Sequence, residues 1–266
     1  MYKLAVIGNP VKNSLSPEVF NLFAKQANIK IEYSKILAVS DTFSDVLEKF
    51  FTNGGLAVNI TSPFKNLAYL NVKNRTIRAT FCHASNFIKI NDEGELVADT
   101  TDGIGLINAL KLYQKYNLEN KNILIIGSGF VVDSILLDII EQKPHRLDVL
   151  GRNNQRVEYL KNKFAINKFN ILLEYDLIIN TTPNIEENNL FNLITAQNIK
   201  NQALCYDLSY QKSLTLFHEK ILKIKSDVVC VNGIGMLIEQ ASVAFKNLFK
   251  ISIDTMCVFE KLNNKE

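Results

Sequence analysis

The stretch ILIIGSGFVVDSIL, Ile123 to Leu136, decides the fold. Four apolar residues run into Gly127-Ser128-Gly129, and a segment with helical spacing follows. Strand, tight turn and helix in that order form the layout that cradles a dinucleotide pyrophosphate, with the first amides of the helix pointing at the phosphates. Gly127 permits the turn and Gly129 lets backbone approach phosphate, with Ser128 between them. The third glycine position holds Val132 instead, and the bulky Phe130 and Val131 stand in the turn. Taken alone, a Gly-x-Gly fits a purely structural strand-to-helix turn equally well. The strand that follows discriminates. It ends LDVLGRNNQR (147–156), with Gly151 at the tip where an NAD site places an acid on the ribose hydroxyls, and with Arg152 and Arg156 after it. A missing acid and two guanidiniums suit a 2′-phosphate, hence NADP(H). The plain alternative, arginines that only solvate a helix start, places cations against the helix dipole.

Outward from this stretch, short β-branched runs alternate with longer amphipathic ones. Strands are expected at 3–8, 31–38, 56–61, 122–127, 146–151, 176–182, 203–209 and 228–233. Helices are expected between most of them, including Glu18–Asn28 and Asp41–Phe51, the latter with Ser40-Asp41 as caps. Such alternation predicts an α/β protein with parallel sheets and crossover helices. A hairpin-like pair around Glu93-Gly94, spanning 86–101, adds a mixed edge to the first sheet. Gly103–Leu118 reads as one long helix placed before the fresh strand–turn–helix unit, so a boundary falls near Asp102. The first domain is expected over 1–102, with helices of 240–266 packing back on it, and the second over 103–239, with a hinged cleft between them and a frayed tail.

With 47% hydrophobic and 21% charged residues the chain is globular in composition, and a net charge of +3 gives no reason to expect nucleic acid or an anionic membrane. No apolar run is long enough to span a bilayer, and the opening MYKLAVIGNP reads as a strand, so a cytoplasmic location is expected. Four cysteines without paired spacing and three scattered histidines suit buried thiols and no metal site.

The first half has no glycine-rich phosphate loop. It carries clusters of small polar residues at strand ends: Ser14 and Ser16 in GNPVKNSLSP, Asn59, Thr61 and Lys65 in VNITSPFK, Asn86 in HASNF, and Thr101 and Asp102 in DTTDG. Each cluster alone is ordinary turn chemistry. Gathered beyond the carboxyl ends of strands, they would match a small polyhydroxylated ligand.

Together these clusters resemble the shikimate dehydrogenase family. GNPVKNSLSPEVFN is similar to its serine-bearing substrate motif, NITSPFK to Asn-Val-Thr-x-Pro-x-Lys, CHASNF to Gly-Ala-Val-Asn-Thr and TTDGIG to Asn-Thr-Asp-x-x-Gly. NTTP (180–183), DLSY (207–210) and GIGMLIEQASVAF (233–245) match later motifs, in family order and over nearly the whole chain. The resemblance implies a mixed-sheet substrate domain followed by a Rossmann-type NADP-binding domain. It implies that Lys65 and Asp102 are catalytic, and that Ser14, Ser16, Asn59, Thr61, Asn86, Tyr210 and Gln240 hold shikimate or 3-dehydroshikimate. It also implies that Gly127, Ser128, Gly129, Phe130, Val131, Arg152, Arg156, Thr181, Leu208 and Gly233 line the NADP(H) side, in a monomer or homodimer. Departures include Asn13 and Phe20 in place of histidines, Phe87, Thr100 and, most of all, the Gly-Ser-Gly-Phe-Val-Val loop. An NAD-using quinate/shikimate dehydrogenase is a second reading. A non-catalytic shikimate-binding homologue, its cofactor loop eroded, is a third; retention of Lys65 and Asp102 speaks against it.

Overall fold

A computed structural model describes residues 1–183, 189–210 and 214–263; the end of the predicted 240–266 segment therefore lies outside the described residues. The chain divides into two compact units, Met1–Leu106 with Leu237–Glu266, and Ile107–Met236.

In chain order the first unit comprises β1 (Tyr2–Gly8), α1 (Ser16–Gln26), β2 (Ile31–Leu37), α2 (Phe43–Thr52), β3 (Gly55–Ile60), α3 (Lys65–Asn71), β4 (Asn74–Arg75), α4 (Ile77–Cys82), β5 (Phe87–Ile90), β6 (Leu96–Asp99) and the start of α5 (Asp102–Leu112). Its sheet runs β2-β1-β3-β5-β6-β4. β1 pairs parallel with β2 and β3, whereas β5 is antiparallel to both β3 and β6. The predicted mixed edge is thus real, and the hairpin is β5–β6. The apolar run Leu4–Ile7 is buried throughout because helices cover both faces of its sheet. On one face Phe43, Leu47, Phe64 and Ala68 of the α2 and α3 region pack on Ile7, Val58, Ile60 and Ile88.

The second unit continues with β7 (Asn122–Ile126), α6 (Phe130–Glu141), β8 (Arg146–Leu150), α7 (Asn154–Phe164), β9 (Asn167–Lys168), β10 (Tyr175–Asn180), β11 (Ile199–Asp207), α8 (Leu216–Ile224) and β12 (Val229–Val231). Its sheet, β12-β11-β10-β7-β8-β9, is parallel at every pairing. Ile123–Ile126 is wholly buried at its centre. α9 (Ile234–Phe249) and α10 (Thr255–Asn263) close the chain. Within the first unit the Phe245 ring of α9 meets Phe23 of α1 edge-on, with centroids 5.6 Å apart.

Two expectations need correction. The helix predicted over 103–118 stops at Leu112, because Lys115 takes a left-handed conformation (φ 49°) and the Tyr116 amide turns back onto the Leu110 carbonyl at 2.9 Å. Ser40-Asp41 do not cap α2 directly. They form a short 3₁₀ turn in which Thr42 bonds back to Val39, and the helix starts at Phe43.

Candidate active site

In the first unit the sequence places its polar residues where strands end. β1 and β3 lie side by side, and the loops that leave them stay together: the Thr61 amide donates to the Ile7 carbonyl at 3.0 Å and the Asn9 amide to the Ser62 carbonyl at 3.0 Å. Gly8 is required here, since a Cβ on it would lie 2.2 Å from the Thr61 methyl. Lys65 opens α3. Its predecessor Phe64 is buried and stacks on Phe43 with centroids 5.0 Å apart, which anchors the backbone from which the lysine projects.

Asp102 opens α5, an acid in the first turn, where the helix dipole favours negative charge. Lys65 Nζ donates to Asp102 Oδ2 at 2.7 Å, and both side chains are largely buried. Asn86 completes the arrangement. Its Nδ2 lies 2.9 Å from Asp102 Oδ1, 3.0 Å from Thr101 Oγ1 and 3.1 Å from Gln240 Oε1. Two amide protons serve three acceptors, so at least one is shared. Asn86 Oδ1 in turn accepts from the Thr101 amide at 2.8 Å. Gln240 reaches this point because α9 runs close to α5, at Gly105; a Cβ there would lie 2.6 Å from the Gln240 backbone nitrogen.

Ser14, Ser16 and Asn59 form a second group. Ser14 Oγ lies 3.2 Å from Ser16 Oγ, and Asn59 Oδ1 accepts from the Tyr33 hydroxyl at 2.8 Å. Burial raises the Tyr33 phenol well above the ordinary tyrosine range, so it stays a neutral donor. The buried side-chain atoms without a hydrogen-bond partner among the described residues include Asn59 Nδ2 and Thr100 Oγ1 in this unit. Buried donors are normally satisfied, so Asn59 Nδ2 marks a place for an external acceptor.

The second unit holds the glycine loop. Gly127 has φ 119°, and a Cβ on it would strike Thr181 Oγ1 at 2.1 Å. Thr181 is held there through its hydroxyl and amide, both 2.9 Å from the Ile126 carbonyl. Gly129, the residue before α6, has nothing within 4 Å of its would-be Cβ, so the space a phosphate needs is open. Open space above a helix N-terminus, reached through a glycine turn, fits a pyrophosphate. Farther along the sheet, buried Asn180 bonds Asp207 Oδ1 at 2.9 Å, the Leu208 amide bonds the Asn180 carbonyl at 2.9 Å, and the Gly233 amide bonds the Ser209 carbonyl at 2.8 Å. Gly233 passes so close to Leu208 that a Cβ would meet its carbonyl oxygen at 2.2 Å. Thr181, Leu208 and Gly233 thus sit on carboxyl-side loops of neighbouring strands. Tyr210, half-buried, follows on the β11 loop.

The arginines separate into two kinds. Arg152 is exposed. Arg156 is half-buried: it ion-pairs with the buried Asp133 of α6 and donates through Nε to the Ser128 carbonyl at 3.1 Å. Its guanidinium lies 5.1 Å from the Phe130 ring centroid and 4.6 Å from that of Tyr159, and burial lowers its pKa from the ordinary arginine value. Phe130 points outward against this guanidinium, while Val131 is half-buried and Val132 fully buried in the core of the unit. Sequence reading did not single out Asp133, Tyr33 or Gly105. The first two lie on ordinary amphipathic segments and are revealed only by their contacts; Gly105 lay inside the TTDGIG motif as a visible signal. No cluster of three or more metal-ligating side chains occurs among the described residues, and none of their helices is long and apolar enough to cross a membrane.

The family model for the shikimate dehydrogenase substrate binding domain matches residues 6–88. The chain is 35% identical to a shikimate dehydrogenase (NADP(+)) of Ruthia magnifica subsp. Calyptogena magnifica, over 99% of this chain and 100% of that protein. A crystal structure of an Ael1 enzyme from Pseudomonas putida superposes with a TM-score of 0.86 at 29% identity, covering 98% of each chain. A shikimate dehydrogenase structure from Aquifex aeolicus, at 22% identity over 99% and 98% of the two chains, has a TM-score of 0.86 and shows the same fold. The motifs met in the sequence, the clusters they build and full-length similarity agree: the chain belongs to the NADP-dependent shikimate dehydrogenase family of oxidoreductases.

Proposed function

We propose that this protein catalyses the reversible NADPH-linked reduction of 3-dehydroshikimate to shikimate, with Lys65 and Asp102 at the reacting C3 oxygen. The observation that carries the reading is the buried Lys65–Asp102 pair, 2.7 Å long and tied through Asn86 to Gln240. The first unit would hold substrate and the second the cofactor, whose nicotinamide supplies or takes the hydride. In the reducing direction negative charge develops on the ketone oxygen. Lys65 stabilises it and delivers the proton; in the oxidising direction the pair takes that proton from the hydroxyl. Asp102 orients the ammonium, and Asn86 holds Asp102 by its second oxygen. Ser14, Ser16, Asn59, Thr61 and Gln240 of the first unit bind the carboxylate and remaining hydroxyls. Arg152, exposed at the end of β8, reads the 2′-phosphate.

The test is absorbance at the reduced-nicotinamide band with shikimate or quinate, each against NADP+ and NAD+. Turnover of shikimate with NADP+ is expected. Quinate turnover with NAD+ in its place would favour the broader dehydrogenase, and no turnover in any combination would favour a binding protein. Lys65→Ala is expected to lower kcat by about 10²–10⁴-fold while shikimate binding changes less; near-normal turnover in that variant would remove Lys65 from the mechanism.

A further inference from the structure

We propose that Tyr33, which lies outside every motif of the site, is a positioning residue that turns Asn59 into an obligate hydrogen-bond donor, so that the site selects a ligand oxygen able to accept there. The inference rests on reading this cluster as the shikimate site and names how part of it discriminates.

Protons set the arrangement. The phenol has one, and it goes to Asn59 Oδ1 at 2.8 Å. With that proton committed, the Tyr33 oxygen can only accept from any other group. The result is a one-way relay from Tyr33 to Asn59. Its terminus fixes the amide: Oδ1 is occupied, and Nδ2 is left buried with no partner among the described residues. An unpartnered buried N–H group carries a desolvation penalty that a bound acceptor removes, whereas a ligand donor at that point would face two further donors. Packing holds the relay in place. The Tyr33 ring lies 5.0 Å from that of Phe20, which is buried and touches Phe23 and Phe245. A phenyl ring at position 20 also cannot compete for the phenol proton, as an imidazole could. Asn59, expected to touch substrate, is therefore oriented by a residue that need not touch it.

The experiment is a double-mutant cycle of Tyr33→Phe and Asn59→Ala, with kcat and KM for shikimate measured at saturating NADP+. Tyr33→Phe keeps the ring and removes only the proton. It is expected to raise KM by about tenfold and to change kcat by less than about twofold, because a misplaced donor weakens ground and transition states alike. On the Asn59→Ala background it should have no further effect, since its action runs through that amide. An unchanged KM, or an effect that simply adds to that of Asn59→Ala, would overturn the relay. If Tyr33→Phe fails to fold, Asn59→Asp decides. It keeps the acceptor for Tyr33 but turns the ligand-facing donor into a carboxylate oxygen, so a KM near that of wild type overturns the proposal and a large increase supports it. Wild-type protein without shikimate turnover would overturn the function itself and the relay with it.

Discussion

At the scale of single residues, the two arginines that look alike in the sequence stand in different surroundings. Arg156 neutralises Asp133, which is almost fully buried, and bonds the Ser128 carbonyl. Removing one partner of a buried pair strands the other charge, so Arg156→Ala is expected to destabilise the second unit by about 3–5 kcal/mol, read as a lowered urea midpoint. Arg152 is exposed, and Arg152→Ala should leave stability within about 0.5 kcal/mol. The same change should weaken NADP+ binding by roughly 10–100-fold, the loss of charge-assisted hydrogen bonds, and leave NAD+ binding unchanged in titration calorimetry. Equal losses for the two cofactors would take the 2′-phosphate away from Arg152. The residue types at both positions were legible from the missing acid at the β8 tip. Their different surroundings were not, because Asp133 is 23 positions from Arg156 in the chain and meets it only when α6 and α7 stand side by side.

At the scale of elements, the glycines report where backbones must approach. Gly105 lets α5 and α9 touch, and Gly105→Ala places a methyl 2.6 Å from the Gln240 backbone. One helix must give way, at about 1–3 kcal/mol, and Gln240 moves from Asn86 with it. A lower melting temperature together with a raised KM for shikimate is the expected pair of results; a lower melting temperature alone would separate Gln240 from substrate binding. Gly129 is the opposite case. Its φ is −74° and a Cβ there meets nothing, so Gly129→Ala should fold normally. If phosphate lies where the open space is, that variant binds NADP+ more weakly with an unchanged melting temperature. Element types were legible from periodicity: the β1, β3 and β7 strands lie within a residue or so of their expected places. The two-residue strands β4 and β9 and the short helices α3 and α4 carry too little periodicity to be read, and the overlong helix before β7 failed because its apolar residues pack without helical continuation.

At the scale of the whole molecule, stability is tied to pH through a buried histidine that catalysis does not use. His218 accepts the Thr215 amide on Nδ1 and faces the Val231 carbonyl at 3.2 Å with Nε2, which requires the neutral tautomer protonated at Nε2. Burial lowers its pKa from the ordinary histidine value, outweighing the nearby Asp207, which acts the other way. The unfolded chain then binds the extra proton first. The contribution of His218 to stability is complete above the unfolded pKa of about 6.5 and is lost as pH falls below it. The urea midpoint should drop as pH falls below about 6.5, and His218→Gln, which keeps a capping side chain for α8, should drop less over that range. An identical fall in both proteins would assign the pH dependence to other groups.

The sequence by itself determined the fold class and the alternation of the longer strands and helices, and it pointed to the candidate site residues, because hydrophobic period, turn glycines and strand-end polar clusters are local properties that short segments carry intact. It also determined the family, through motifs kept in order along nearly the whole chain. Only the tertiary structure decided which atoms meet: that Lys65 pairs with Asp102 across 37 positions, that Arg156 pairs with Asp133, that Phe130 turns outward, and that Tyr33 stands behind Asn59. Those facts depend on the approach of strands and helices distant in the chain, and on the direction of single hydrogen bonds, which no local pattern of residues encodes.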